Sequence, residues 1–95
     1  MPTIREQIIE LLKEEQHNGI ELSQYLSIQE KEVYEHLDHV SRSIKREGLK
    51  IEVDPYHCLD CGYSFKKRNR FDRPGRCPEC KGSHIRMATF KIYRF

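Results

Sequence analysis

Three amphipathic helical patterns, a stretch of period-two alternation, and a second such stretch after a cysteine-bearing interruption predict a small α+β domain. The expected architecture is three helices plus a β-hairpin, with a metal-binding module inserted between the hairpin strands. The interruption is the most specific of these observations. Cys58, Cys61, Cys77 and Cys80 form two Cys-x-x-Cys pairs separated by 15 residues, and the chain has no other cysteine. Each such pair forms a tight knuckle, and the linker lets the two knuckles face one ion.

The first helix opens at a capping box, Thr3-x-x-Glu6, and carries Ile4, Ile8, Leu11 and Leu12 on one face. Asn18-Gly19 is expected to end it. Ile20-Glu21 then reads as an extended link. Leu22 to Leu26 reads as a short helix with Leu22, Tyr25 and Leu26 turned inward. Ser27-Ile28-Gln29 turns into the longest helix, about Glu30 to Arg46, with Val33, Leu37, Val40 and Ile44 at a 3-4 spacing. Gly48 is its C-cap. Leu49, Ile51 and Val53 then alternate with Lys50, Glu52 and Asp54 as in a half-buried strand, and Pro55 ends it. Ala88, Phe90 and Ile92 alternate with Thr89, Lys91 and Tyr93, and this strand is expected to pair antiparallel with the first. The chain therefore divides into residues 1–56 (helices and first hairpin strand), 57–84 (metal module) and 85–95 (returning strand). Helix–helix–helix–hairpin is the order of a winged helix, with the metal module at the tip of the wing.

Four thiolates at tetrahedral reach suit zinc, or iron as its substitute. Glycine just past each pair, at Gly62 and Gly82, is expected to supply the positive φ of the knuckle turn. With four cysteines present, His57 and His84 read as neighbours of the site, His36 as half-buried, and His17 and His39 as surface residues. The 28 residues from 57 to 84 hold too few apolar side chains to fold alone, so the metal reads as structural. A closed four-cysteine site leaves no open coordination position, and no nucleophile–base pattern stands out, so the chain does not read as an enzyme.

The formal charge of +2 hides an asymmetry. Residues 1–50 hold seven Lys/Arg against ten Asp/Glu; residues 51–95 hold ten against five. Lys66, Lys67, Arg68, Arg70, Arg73 and Arg76 place six cations in eleven residues, with Tyr63, Phe65 and Phe71 interleaved. Cations beside rings are the ingredients of a nucleic-acid surface. Aromatics beside a knuckle also serve as the small core of the module. The N-terminus has no apolar signal run, and no stretch approaches the roughly 20 apolar residues of a membrane span, so a soluble, cytoplasmic protein is expected.

Leu26-Ser27-Ile28-Gln29, followed by Val33-Tyr34-Glu35-His36-Leu37 and then Val40, Ile44, Gly48 and Leu49, resembles the winged helix-turn-helix of prokaryotic transcriptional regulators. Cys61-Gly62-Tyr63-Ser64-Phe65 is similar to the first knuckle of rubredoxins, and the module as a whole resembles a zinc ribbon. Together they resemble an archaeal family of predicted transcriptional regulators in which a winged helix carries a rubredoxin-like zinc ribbon. The resemblance implies a regulator that binds double-stranded DNA. Residues 29–35 would approach the major groove through Gln29, Lys31 and Tyr34, and Lys66–Arg76 would clamp phosphates. Glu30, Glu32 and Glu35 depart from that pattern, because they would face a polyanion. The alternative is a protein–protein interaction module docking on the transcription machinery, and a third reading is a rubredoxin-like iron electron carrier. Homodimerisation, common among winged helices, would use Ile9, Tyr93 and Phe95.

Overall fold

The computed structural model describes residues 2–94. Helix α1 (Ile4–Glu14) begins at the expected capping box: the Thr3 hydroxyl accepts from the Glu6 amide, and the Glu6 carboxylate accepts from the Thr3 amide. The helix stops at Glu14, four residues before Asn18. His17–Asn18 form a short strand, β1, and Asn18 starts the next helix instead of ending the first. Its Oδ1 accepts from the Glu21 amide at 2.8 Å, while Glu21 Oε1 accepts from the Asn18 amide at 2.9 Å. This second capping box draws Ile20 and Glu21 into helix α2 (Gly19–Leu26), where an extended link was expected.

Leu22 and Leu26 of α2 are buried, but Tyr25 is 65% exposed. It stands edge-on to the ring of His17, with centroids 5.3 Å apart. His17, expected at the surface, is instead only 6% exposed. Strand β1 carries it under α2, and that strand has no signature in a two-residue stretch of sequence.

Helix α3 (Glu30–Ser43) buries Val33, Leu37 and Val40 as its spacing predicts, and also Tyr34. Its end tightens into a 3₁₀ turn (Ile44–Glu47) that closes at Gly48 with φ +73°, the left-handed cap that glycine adopts most easily. Strand β2 (Leu49–Asp54) follows. Two short strands, β3 (His57–Cys58) and β4 (Ile85–Arg86), pair with each other inside the cysteine module. The last strand, β5 (Thr89–Arg94), runs antiparallel to β2 in the expected hairpin, from Leu49↔Arg94 to Asp54↔Thr89. It also pairs with β1, so β5 is the centre of a three-stranded sheet of order β1-β5-β2. The molecule is thus a mixed α+β domain of three helices and antiparallel sheets. Among the described residues, no helix is long and apolar enough to cross a membrane.

Ile8, Leu12, Leu22, Val33, Leu37, Val40 and Phe90 are fully buried and form the core between helices and sheet. Tyr56 and Phe65 belong to the same cluster, and Tyr63 and Phe71 pack against it. Phe71 meets Phe90 edge-on at 5.7 Å. Of the aromatics of the basic loop, Phe65 is a core residue, while Tyr63 and Phe71 are half-buried against the core. They join the cysteine module to the main core instead of forming a separate one. Of the residues set aside for a homodimer contact, Ile9 is partly buried against the core and Tyr93 is exposed beneath the Lys91 ammonium. Phe95 lies outside the described residues.

Gly19 is a consequence of Tyr34. A Cβ at Gly19 would lie 2.6 Å from ring carbons of Tyr34, which nothing in a packed interior allows. Gly19→Ala is therefore expected to destabilise the fold by about 1–2 kcal/mol, overpacking outweighing the better helix propensity of alanine. In a Tyr34→Leu background the same change should cost little, and urea unfolding of the four proteins measures the difference. An equal cost in both backgrounds would separate Gly19 from Tyr34.

Candidate metal centre and the loop it carries

Both knuckles are built by the same pair of backbone hydrogen bonds. In the first, the Cys58 amide donates to Tyr63 O (2.8 Å) and the Gly62 amide to Cys58 O (2.9 Å). In the second, the Cys77 amide donates to Gly82 O (2.8 Å) and the Lys81 amide to Cys77 O (2.9 Å). The left-handed residue is Gly62 in the first knuckle, with φ +81°, but Lys81 in the second, with φ +64°. Gly82, expected to supply that conformation, meets a different demand. A Cβ there would come within 2.9 Å of Asp60 Oδ2 and 3.3 Å of Cys80 Sγ, so its place follows from the close approach of the two knuckles.

The four sulfur atoms lie within 4.8 Å of one another, with Cys58–Cys80 and Cys61–Cys77 separations of 3.5 Å. A tetrahedral ion with Zn–S bonds of about 2.3 Å needs sulfurs about 3.8 Å apart, so the donor set fits. The tetra-cysteine cluster points to a bound metal ion, zinc or iron. Cys58 and Cys77 are buried and Cys61 and Cys80 exposed. The amides of Cys61 and Asp60 stabilise the Cys58 thiolate, and its pKa falls to about 7. Cys61 is held by the Tyr63 amide, but local loss of solvent and the neighbouring sulfurs outweigh it and push the thiol up to about 12. A cation is what allows all four to ionise together.

Neither flanking histidine joins the cluster. His57 Nδ1 lies 3.0 Å from Pro55 O and 3.0 Å from Arg86 Nη2, whose guanidinium also reaches Asp54. His84 pairs with Asp60 at 3.5 Å on the exposed side.

The loop between the knuckles folds back over α3. Arg73 sets Nη2 against Glu30 Oε1 (2.8 Å) and Nε against Oε2 (2.7 Å), a two-point contact across 43 residues of sequence. The Tyr34 hydroxyl donates to the same carboxylate, at 2.5 Å. Burial and that bond raise the Tyr34 pKa far above its ordinary value. The Tyr56 hydroxyl donates to Phe71 O at 2.6 Å, and burial raises its pKa as well.

Of the cations in the loop, Arg68 and Arg70 share Asp72 and Arg73 holds Glu30. Burial would raise the Asp72 pKa, but the two guanidiniums hold it below the ordinary range. Lys66, Lys67 and Arg76 are exposed and make no ion pair among the described residues. Gln29, at the N-cap of α3, and Lys31, in its first turn, are exposed. Tyr34 is not, being 8% exposed with its hydroxyl engaged, so it is placed to brace the helix and not to touch a ligand beyond the surface. A cleft of about 410 Å³ separates α3 from the loop, with Lys31, Glu35 and Asp38 facing Asn69, Arg70 and Asp72 above Tyr34 and Phe71. Glu30 reads in the sequence only as an acid that would face a polyanion, not as the partner of Arg73. It is one of several acids on a helix, and only the fold brings Arg73 to it.

The profile of the family described as PF0610-like, N-terminal, matches residues 3–51. The chain belongs to the PF0610-like family. The match spans the three helices and the start of β2, and the cysteine module lies beyond it. The solution NMR structure of protein PF0610 from the archaeon Pyrococcus furiosus superposes with a TM-score of 0.83 at 35% identity, over 97% of this chain and 90% of that one. A member of the PF0610-like family from an archaeon fits the archaeal family expected from the motifs. No curated protein matches the chain.

Two outcomes test the centre. Cys77→Ser, or removal of the metal with a chelator, should collapse the amide dispersion of residues 57–64 and 77–86 in NMR spectra while α1–α3 remain folded. Retained dispersion there would remove the metal from the account. Lys81→Gly should relieve left-handed strain and stabilise the centre by about 0.5–1 kcal/mol after the entropy cost of glycine, read as a higher chelator concentration at half loss of metal. Gly82→Ala should shift that midpoint the other way.

Proposed function

We propose that this protein is a winged-helix module of the transcription machinery that docks a protein partner through α3 and the cleft beside it, its zinc ribbon serving as a structural clamp. The order α1, β1, α2, α3, β2, β5 with a three-stranded sheet supports the winged-helix reading. Zinc is the ion favoured for a closed four-thiolate structural site.

The observation that carries the docking reading is the Arg73–Glu30 contact. It fixes the loop beside the first turn of α3, the part of the helix a winged helix lays into the major groove. The remaining outward face carries Glu32, Glu35 and Asp38, which repel phosphates and suit a basic segment with an apolar anchor over Phe71. A second reading, a regulator binding double-stranded DNA, is favoured by the unpaired Lys66, Lys67 and Arg76.

Fluorescence anisotropy with random duplex DNA separates the two. At about 150 mM salt the docking reading expects a Kd weaker than about 100 µM, and a gain in affinity when Glu32, Glu35 and Asp38 become Gln, Gln and Asn. A photo-crosslinker at position 35 should capture a discrete protein from an extract of the source cells, and Asp38→Lys should abolish the capture. Micromolar duplex binding that Gln29→Ala or Lys31→Ala weakens would overturn docking in favour of DNA reading. Metal analysis of native protein tests the electron-carrier alternative, since ferric tetrathiolate is red and zinc is colourless.

A further inference from the structure

A second hollow, of about 440 Å³, opens on the cysteine module and is lined without any residue of α3: Tyr63, Phe65, Lys67, Arg68, Asn69 and Arg70. Its volume is within the range of small-ligand clefts. Tyr63 is half-buried, its ring set nearly perpendicular to Phe65 at 4.9 Å. Its carbonyl accepts the Cys58 amide, so the metal knuckle fixes the backbone that presents the ring. Lys67 lines the hollow and Lys66 precedes it in the chain, both exposed with no carboxylate partner among the described residues, whereas the exposed Arg70 is paired with Asp72. Phe65 is committed to the core and Arg68 and Arg70 to Asp72, which leaves one ring, one amide and two lysines for a ligand.

We infer that this hollow binds one unpaired base of a single-stranded nucleic acid, stacked on Tyr63, with Asn69 at the base edge and Lys66 and Lys67 on the flanking phosphates. Each component answers to one part of a nucleotide. A π-face accepts any base, an amide offers both a donor and an acceptor to a base edge, and exposed cations track a phosphate chain. A duplex does not suit the same surface. Its bases are held inside the stack, and its second strand would meet Glu35 and Asp38 across the neighbouring cleft, which Arg70 also lines. The site uses no residue of α3, although Asn69 and Arg70 also line the cleft beside that helix, and its single-strand test reads Tyr63, which lies outside that cleft.

Anisotropy of the metal-loaded full chain with labelled oligo-dT and oligo-U of about 12 nucleotides, against a duplex of equal length, tests the site. The single strands should bind at least about tenfold tighter than the duplex. With two phosphate contacts, the affinity should fall about sevenfold between about 50 and 200 mM salt, and lose nearly all of that dependence once Lys66 and Lys67 are Ala. Tyr63→Phe should bind as the parent does, and Tyr63→Leu about fivefold or more weakly. Because Tyr63→Leu also touches packing around Phe65, the parent protein supplies a second readout. Its Tyr63 ring protons should move upfield on titration with the oligonucleotide. Equal affinity for the duplex, an unmoved Tyr63 ring, or an equal response to heparin with no sensitivity to position 63 would each overturn the assignment.

Discussion

The antiparallel pairing of β2 with β5 is the constraint on which the other features depend. Its register sets Asp54 opposite Thr89, so the 34 residues between them leave and return at adjacent points on one hairpin. A long insertion closed at its base in this way has lost much of its chain entropy before any metal binds. The short β3–β4 pairing narrows it further and brings Cys58 beside Ile85. The ion completes the closure by joining the two knuckles.

From that base the loop turns back to the helices. Phe71 on Phe90 and Arg73 on Glu30 are contacts of different kinds serving one end: the first removes apolar surface from water, and the second fixes orientation. An exposed ion pair contributes little by itself. Here Glu30 also receives the buried Tyr34 hydroxyl, so the carboxylate is held from two sides and the loop is placed with respect to α3. Charges that a sequence would count as a single basic patch are divided by this fold. Arg68, Arg70 and Arg73 are largely occupied internally, and Lys66, Lys67 and Arg76 remain for contacts outside.

Much of this was legible in the residues. The α1 capping box, the 3-4 stripe of α3, the Gly48 cap and the alternation of both hairpin strands each express a local rule strong enough to survive packing, and the cysteine spacing named its own site. The misreadings have physical reasons. Asn18-Gly19 looks like a helix stop until Glu21 is recognised as the other half of a capping box. His17 and Tyr25 exchange environments because β1 pairs with a strand more than 70 residues away, a contact no local pattern carries. Lys81 takes the left-handed position next to a glycine because the approach of Asp60 and Cys80 claims Gly82 for its lack of a side chain. Glu30 acquires its role only through a tertiary contact with Arg73.

The sheet order has a consequence for how the chain matures. The central strand, β5, is the last of the described elements to be synthesised, and both of its neighbours wait for it. Until it emerges from the ribosome, β1 and β2 have no partner, and Ile8, Leu12 and Val33 lack the wall that Phe90 and Ile92 supply. Nascent helices in that state expose apolar faces and unpaired strand edges, the conditions under which chains associate wrongly.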